Sequence, residues 1–199
     1  FNVSNLDENW KWIAENEEKP FINRVTQGMY IPGSTFKIVS AVAALENLHL
    51  NLDYTCKGVT KIDGKDFLDY RGQVHGRISL KDALAKSCNT YFAEKAISLG
   101  QDKLGQVSER FMINQEIEFD LPVKKSSFPY KKAQGKTDLA AAAIGQGKVL
   151  VTPLNMAMIT SAIANNGQMV RPILVKEVIN RNDKVIEKFE TEIITQSIS

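Results

Sequence analysis

Two short patterns in this chain have the residue types and spacing for nucleophilic chemistry. The first is Ser34-Thr35-Phe36-Lys37, framed by Pro32-Gly33 and by the run Ile38–Leu45, in which seven of eight residues are apolar. Positions i and i+3 of a helix share a face, with Cβ atoms about 5–6 Å apart, so an ammonium at 37 can reach a hydroxyl at 34. Serine is a poor nucleophile until a neighbouring base takes its proton. Lysine becomes that base when burial disfavours its charged form, and an apolar helix supplies the burial. The positive end of the helix dipole works in the same direction and favours an oxyanion nearby. A plainer reading also fits these four residues: a serine cap at a helix start, with a lysine one turn on.

The second pattern is Ser87-Cys88-Asn89, in a break between two helical stretches. A serine there can relay a proton to a leaving group, and an asparagine amide can hold a peptide through its donor and its acceptor. The alternative is that Asn89 only caps the helix that follows. Cys88, between the two, reads as packed inward rather than reactive.

Holding these residues requires a buried helix and a break in a second one. The run 38–45 predicts a helix covered on nearly all sides, with Pro32-Gly33 as the turn before it. Ser79 and Asp82 form a capping-box pair that starts the second helical region. After the break, "TYFAEKAISLG" resumes as helix and stops at Gly100, and residues 102–112 predict one more short helix. "TDLAAAAIGQG" (137–147) predicts an alanine-rich helix ending in a glycine turn. Thr152 as cap and Pro153 as first helical residue open a helix that ends at Asn165-Asn166-Gly167. Two hairpins are expected, one in 54–70 around Asp63-Gly64 and one in 173–190 around Asn182-Asp183. Residues 1–28 are polar and mixed, with Trp10 and Trp12 as packing or interface residues. The fold class is α+β, mostly helical, with small peripheral hairpins.

Composition narrows the function classes. The 199 residues are 43% hydrophobic and 24% charged with a formal net charge of +2, ordinary for one globular core. Lysines are scattered rather than striped, which gives no case for nucleic acid. The densest basic patch, "KKSSFPYKK" (124–132), reads as a solvated loop. No apolar stretch has the length of a membrane span, and "FNVSNLDENW" lacks the basic and apolar regions of a signal peptide. Cys56 and Cys88 fit neither a disulfide framework nor the paired ligand spacing of a metal site. His49 and His75 are isolated, so surface or structural roles are expected. "GQG" (145–147) lacks the strand and helix order of a phosphate-binding loop. No metal and no cofactor are expected.

The two patterns, in this order and 53 residues apart, resemble those of the penicillin-binding protein and serine β-lactamase superfamily. Longer runs carry the likeness further: "FINRVTQGMYIPGSTFK" (21–37), "GRISLKDALAKSCNTYFAEKAISLG" (76–100) and "AAAAIGQGKVLVTPLNMAMITSAIANNGQMVRP" (140–172). Together they cover about residues 5–180 and are most similar to the class B enzymes that crosslink peptidoglycan. The resemblance implies Ser34 as the acylated nucleophile and Lys37 as its general base. It implies Ser87 as the proton relay, Asn89 as a binder of substrate backbone, and the Ser34 N–H as one oxyanion donor. The partners implied are peptidoglycan stem peptides ending in D-Ala-D-Ala, β-lactams, and division or elongation proteins, at the outer face of a bacterial cytoplasmic membrane.

One departure stands against this likeness. The family carries a third motif, Lys-Ser/Thr-Gly, on a strand beside the nucleophile. Here Lys-Ser or Lys-Thr occurs at 86–87, 125–126 and 136–137, and none is followed by glycine. The expectation is a partial transpeptidase domain over 1–199, with much of the central sheet and the second oxyanion donor missing and acylation impaired. Rival readings are a class D-like β-lactamase and a β-lactam sensor or non-catalytic scaffold. Asn89 stands where class D enzymes usually carry an aliphatic residue, and "QEIEFDLP" (115–122) does not match the deacylating loop of class A.

Overall fold

The computed structural model describes residues 6–47, 49–129 and 135–198. Its centre is one short helix. After α1 (Leu6–Glu15) and α2 (Arg24–Gln27), a 3-10 turn over Gly33–Phe36 leads directly into α3 (Lys37–Leu45). Seven of the nine α3 residues are buried, Lys37 among them. Its alanines are small enough for neighbours to close on every side, so α3 feeds two packed clusters at once. Val39, Val42 and Ala43 join Phe36, Phe111, Ile159 and Met169 on one side. Ala41 and Ala44 join Cys56, Ile78, Tyr91 and Phe92 on the other. Each fully buried large side chain of this kind contributes about 1.5–3 kcal/mol.

The strands come in pairs. β1 (Tyr54–Cys56) pairs antiparallel with β4 (Gly76–Ile78), and between them β2 (Val59–Ile62) pairs with β3 (Lys65–Leu68). The β2–β3 turn is Asp63-Gly64, with φ of 45° and 83°. Both residues are left-handed, as a two-residue hairpin turn requires, and the expected hairpin is present. Next come α4 (Leu80–Ala85), α5 (Asn89–Leu99) and α6 (Gln101–Arg110), then α7 (Lys136–Ala143) and α8 (Pro153–Ala164). β5 (Gln168–Val170) pairs with β8 (Ile193–Gln196), and β6 (Glu177–Ile179) with β7 (Val185–Lys188) around the expected C-terminal turn. Among the described residues every sheet has two strands. The fold is thus mixed helix and strand without a large sheet, as the α+β reading anticipated.

Local signals explain the helix ends. The Ser79 side chain accepts from the Asp82 N–H, and Asp82 accepts from the Ser79 N–H, closing the capping box of α4. Thr152 caps α8, with Pro153 as its first residue. Two expectations need correction. Residues 6–28 contain α1 and α2, where no helix was expected; Trp10 packs on Phe21 at 5.3 Å between ring centroids, although it and Trp12 stay 54% and 68% exposed. The basic patch is not wholly solvated, because Ser126 and Phe128 are buried while Lys124 and Lys125 stay exposed; residues 130–132 of it lie outside the described residues. No helix among the described residues is long and apolar enough to cross a membrane.

Candidate active site

Ser34 lies in the 3-10 turn, and Lys37 is the first residue of α3. The helix therefore starts three residues later than Ser34, and the tighter turn is what makes the pair meet, since side chains at i and i+3 eclipse in a 3-10 helix. Phe36, fully buried and stacked on Phe128 at 5.7 Å between ring centroids, anchors the turn from inside. From outside it is held by the glycine turn after α7. Gly33 donates its N–H to the Gly145 carbonyl at 2.9 Å. A Cβ on Gly145 would lie 2.0 Å from the Gly33 carbonyl oxygen, so only glycine permits this approach. "GQG" packs against the turn that carries Ser34, a role that its spacing did not reveal.

The four residues singled out from the sequence converge. Lys37 Nζ lies 3.2 Å from Ser34 Oγ and 2.9 Å from Ser87 Oγ. Ser87 Oγ donates to Ser34 Oγ at 2.9 Å, which closes a triangle of three polar atoms. Lys37 also donates to the Ser87 carbonyl at 2.7 Å and to Asn89 Oδ1 at 2.6 Å. Asn89 turns its Nδ2 to the Leu68 carbonyl at 2.9 Å, so the β2–β3 hairpin sets the orientation of the amide. Ser87 itself has φ of 54°, a left-handed backbone that ends α4 and swings its hydroxyl toward α3. Asn89 does not cap α5; Cys88 holds the cap position and Asn89 is the first helical residue.

Lys37 is fully buried, with Phe92 as its floor at 5.9 Å from the ring centroid. Burial pushes its ammonium down to about 8, against the opposing pull of Asp69 and Cys88. When neutral, Nζ has two N–H groups and one lone pair. The two closest acceptors, Asn89 Oδ1 and the Ser87 carbonyl, take the N–H groups. The lone pair is left to face the two serine hydroxyls. An exposed hydroxyl next to a neutral amine is what a nucleophile and its base require.

Behind this triangle lies a buried group that the sequence reading missed. Asp69, 2% exposed, accepts from the Asn89 N–H, from the Thr90 hydroxyl at 2.7 Å and from the Thr90 N–H at 3.4 Å. Burial alone would raise its carboxyl, but hydrogen bonds from Thr90, Cys56 and Asn89 hold it below the ordinary carboxylate range. Asp69 also accepts from both thiols, Cys56 Sγ at 3.1 Å and Cys88 Sγ at 3.5 Å. His75 Nδ1 is 3.4 Å from Cys56 Sγ. The reading of His75 as isolated is therefore corrected. Cys56, Asp69, His75 and Cys88 place one ligand atom each within 4.8 Å of all the others. Linear spacing hid this set because its members come from β1, the end of β3, the start of β4 and the cap of α5. Cys88 is packed inward as expected, and burial pushes its thiol up to about 12.

Residues 3–198 match the penicillin binding protein transpeptidase domain. The chain belongs to that family. It is 33% identical over 180 residues to the peptidoglycan D,D-transpeptidase PbpA of Mycolicibacterium smegmatis, covering 84% of this chain and 35% of that protein. It is 32% identical over 174 residues to stage V sporulation protein D of Bacillus subtilis, covering 85% of this chain and 27% of that one. Among solved structures, penicillin-binding protein A from M. tuberculosis, captured as a penicillin G acyl-enzyme complex, superposes with a TM-score of 0.89 at 28% identity. That likeness covers 100% of this chain and 47% of the other. The chain thus spans about a third or less of the curated relatives cited. With them it shares a penicillin-binding transpeptidase fold.

Proposed function

We propose that this chain carries the acylation machinery of a peptidoglycan D,D-transpeptidase, with Ser34 as nucleophile. The observation that carries the reading is the hydrogen-bonded triangle of Ser34, Lys37 and Ser87 around a buried, neutralisable amine. Neutral Lys37 takes the proton of Ser34 as Oγ attacks the carbonyl carbon of the penultimate D-Ala in a stem peptide. The tetrahedral oxyanion gathers at the Ser34 N–H, at the start of the 3-10 turn. Ser87 then passes a proton to the departing D-Ala nitrogen, the C–N bond breaks, and an ester remains on Ser34. An amine of a second stem attacks that ester, forms the crosslink and returns the proton to Ser34. A β-lactam enters the same path, except that its ring nitrogen stays tethered after the amide opens. Names among the relatives support the substrate, and acyl-enzymes of a structural relative support the drug class.

Asn89 acts here on Lys37 as well as on substrate. Its Oδ1 and one Nδ2 hydrogen are engaged within the protein, which leaves one donor and one acceptor site for a peptide backbone. The place of action is the outer face of the cytoplasmic membrane, beside the division or elongation machinery. The 199 residues alone acylate slowly: they contain no Lys-Ser/Thr-Gly run, and Lys136-Thr137 opens α7 rather than a strand. An oxyanion donor is typically worth about 10²–10³ in rate.

A fluorescent penicillin tests both statements. In the full-length gene product, labelling is expected to be stoichiometric and to vanish in Ser34→Ala. Unchanged labelling in Ser34→Ala would remove Ser34 from the mechanism. The 199-residue chain is expected to label about 10²-fold or more slowly than the full-length product. Equal rates would overturn the impairment.

A further inference from the structure

We propose that Tyr70 and Arg71 form a subsite on the rim of the Ser34 cleft that binds a carboxylate of the donor stem peptide, on the side chain of the residue before D-Ala-D-Ala. The inference rests on the transpeptidase reading and adds to it a preference for one class of stem. Three observations converge on it. The first is the turn. Arg71 has φ of 54°, in the left-handed region that residues other than glycine seldom occupy. The turn is clamped in this shape. The Asp69 N–H donates to the Gly58 carbonyl at 3.0 Å, the Gly72 N–H to the Asp69 carbonyl at 2.9 Å, and the Gln73 N–H to the Tyr70 carbonyl at 3.1 Å. Gly58 packs on it so closely that a Cβ there would sit 2.4 Å from the Gly72 carbonyl oxygen. An arginine placed only for solubility needs neither a strained backbone nor a clamp. Strain of this kind persists where the surroundings impose it, and it gathers at ligand-binding segments.

The second observation is what the turn presents. Tyr70 is 73% exposed, and the Arg71 guanidinium lies over its ring, 5.1 Å from the centroid. Stacking covers one face of the guanidinium and holds it in place, while its five N–H donors, which lie in the guanidinium plane, stay open. Arg77, Arg110 and Arg171 each pair with a carboxylate of this chain. Among the described residues none pairs with Arg71. A pre-organised cation without an acid of its own is suited to an anion from outside, and its planar fork matches a carboxylate.

The third observation is place. Asn89, which keeps one donor and one acceptor for a peptide backbone, is held by the Leu68 carbonyl at 2.9 Å. Tyr70 and Arg71 follow two and three residues later, so their Cα atoms lie within about 7 and 11 Å of that of Leu68. An extended peptide advances about 3.3–3.6 Å per residue. A stem whose backbone pairs with Asn89 therefore brings the side chain of the residue before D-Ala-D-Ala within reach of Arg71. Its aliphatic part would lie along Tyr70, and its carboxylate would meet the guanidinium. A lysine side chain in the same place would meet a like charge.

Three thioester probes test the subsite in the full-length gene product: N-acetyl-Xaa-D-Ala thioglycolates with L-glutamate, L-norleucine or L-lysine at Xaa. Acyl transfer to Ser34 forms a C–O bond, breaks the C–S bond and releases thioglycolate, whose sulfur takes up the serine proton, so thiol release follows the reaction. The kcat/KM for the glutamate probe is expected to exceed that for lysine about tenfold, the scale of a charge-assisted hydrogen bond partly screened by solvent, with norleucine between. The difference is expected in KM and is expected to shrink in about 1 M salt. Arg71→Asn, whose side chain tolerates the left-handed turn, is expected to abolish the preference, and Arg71→Asp to reverse it in favour of lysine. Equal kcat/KM for the three probes, or a preference that survives in Arg71→Asn, would overturn the subsite and leave the transpeptidase reading intact. No acyl transfer from any probe to Ser34 would overturn both.

Discussion

Gly145 and Gly33 touch backbone to backbone: the Gly33 N–H donates to the Gly145 carbonyl at 2.9 Å, and a Cβ on Gly145 would lie 2.0 Å from the Gly33 carbonyl oxygen. The residue after Gly33 is Ser34, the proposed nucleophile, so the turn following α7 fixes where Ser34 stands. Gly145→Ala is expected to slow penicillin labelling at least tenfold and to lower the melting temperature by several degrees. Gly147→Ala is the control. It has the same φ of 70° but meets nothing closer than the Ala141 side chain at 3.6 Å. Equal losses in the two variants would mean that backbone strain, not contact with the turn that carries Ser34, is responsible.

Lys37 gives a pH dependence with a definite sign. Its folded pKa lies at about 8, below the 10.5 of a free lysine, because of burial. Acylation needs the neutral amine, so its rate is expected to rise with pH and to level off above about 8. Between that value and 10.5 the unfolded chain binds more protons than the folded one, so stability also rises with pH across this window. Lys37→Met is expected to cut labelling by about 10²–10⁴ without lowering the melting temperature, because it removes a buried ammonium and keeps the volume. A rate flat from pH 6 to 9, measured by stopped labelling, would exclude Lys37 as the base.

Asn89→Asp separates an electrostatic role from simple packing. The variant places a carboxylate 2.6 Å from Lys37 Nζ, which stabilises the ammonium. It also turns an oxygen toward the Leu68 carbonyl in place of a donor. The pH–rate midpoint is expected to move up by about one unit or more, with a lower plateau. Asn89→Ala is expected to lower the plateau without the upward shift. Identical pH profiles in the two variants would count against the contact with Lys37.

Ser79 offers a remote, purely structural comparison. Its side chain caps α4, the helix whose end delivers Ser87. Ser79→Ala is expected to cost about 1 kcal/mol, a fall of roughly 2–4 °C in melting temperature for a chain of this size. The labelling rate of the folded protein should be unchanged. A calorimetric scan beside a labelling time course checks both halves.

Much of this chain could be read along its length because the relevant forces are local. The i, i+3 spacing brought Ser34 and Lys37 together, Asp63-Gly64 specified a hairpin, and Ser79 with Asp82, and Thr152 with Pro153, marked two helix starts. Each of these depends on contacts within a few residues. α1 carries helical spacing of its own, with Leu6, Trp10 and Ile13 at i, i+4 and i+7, but Trp10 and Trp12 stay largely exposed, so the segment does not read as a core helix.

What only the tertiary structure decided is which distant residues face one another. Ser87 is 53 residues from Ser34, and its approach depends on a left-handed backbone at the end of α4 that composition does not encode. Asp69, Cys56, His75 and Cys88 converge because two antiparallel pairs and a helix cap fold into one buried corner. No linear spacing records such a corner, since ligand geometry is a property of the folded surface and not of the chain. The residue types set the chemistry that Ser34 and Lys37 could perform. Burial of Lys37 by α3 and Phe92, a consequence of packing alone, is what lowers the pKa of its ammonium to about 8, within reach of the base role proposed for it.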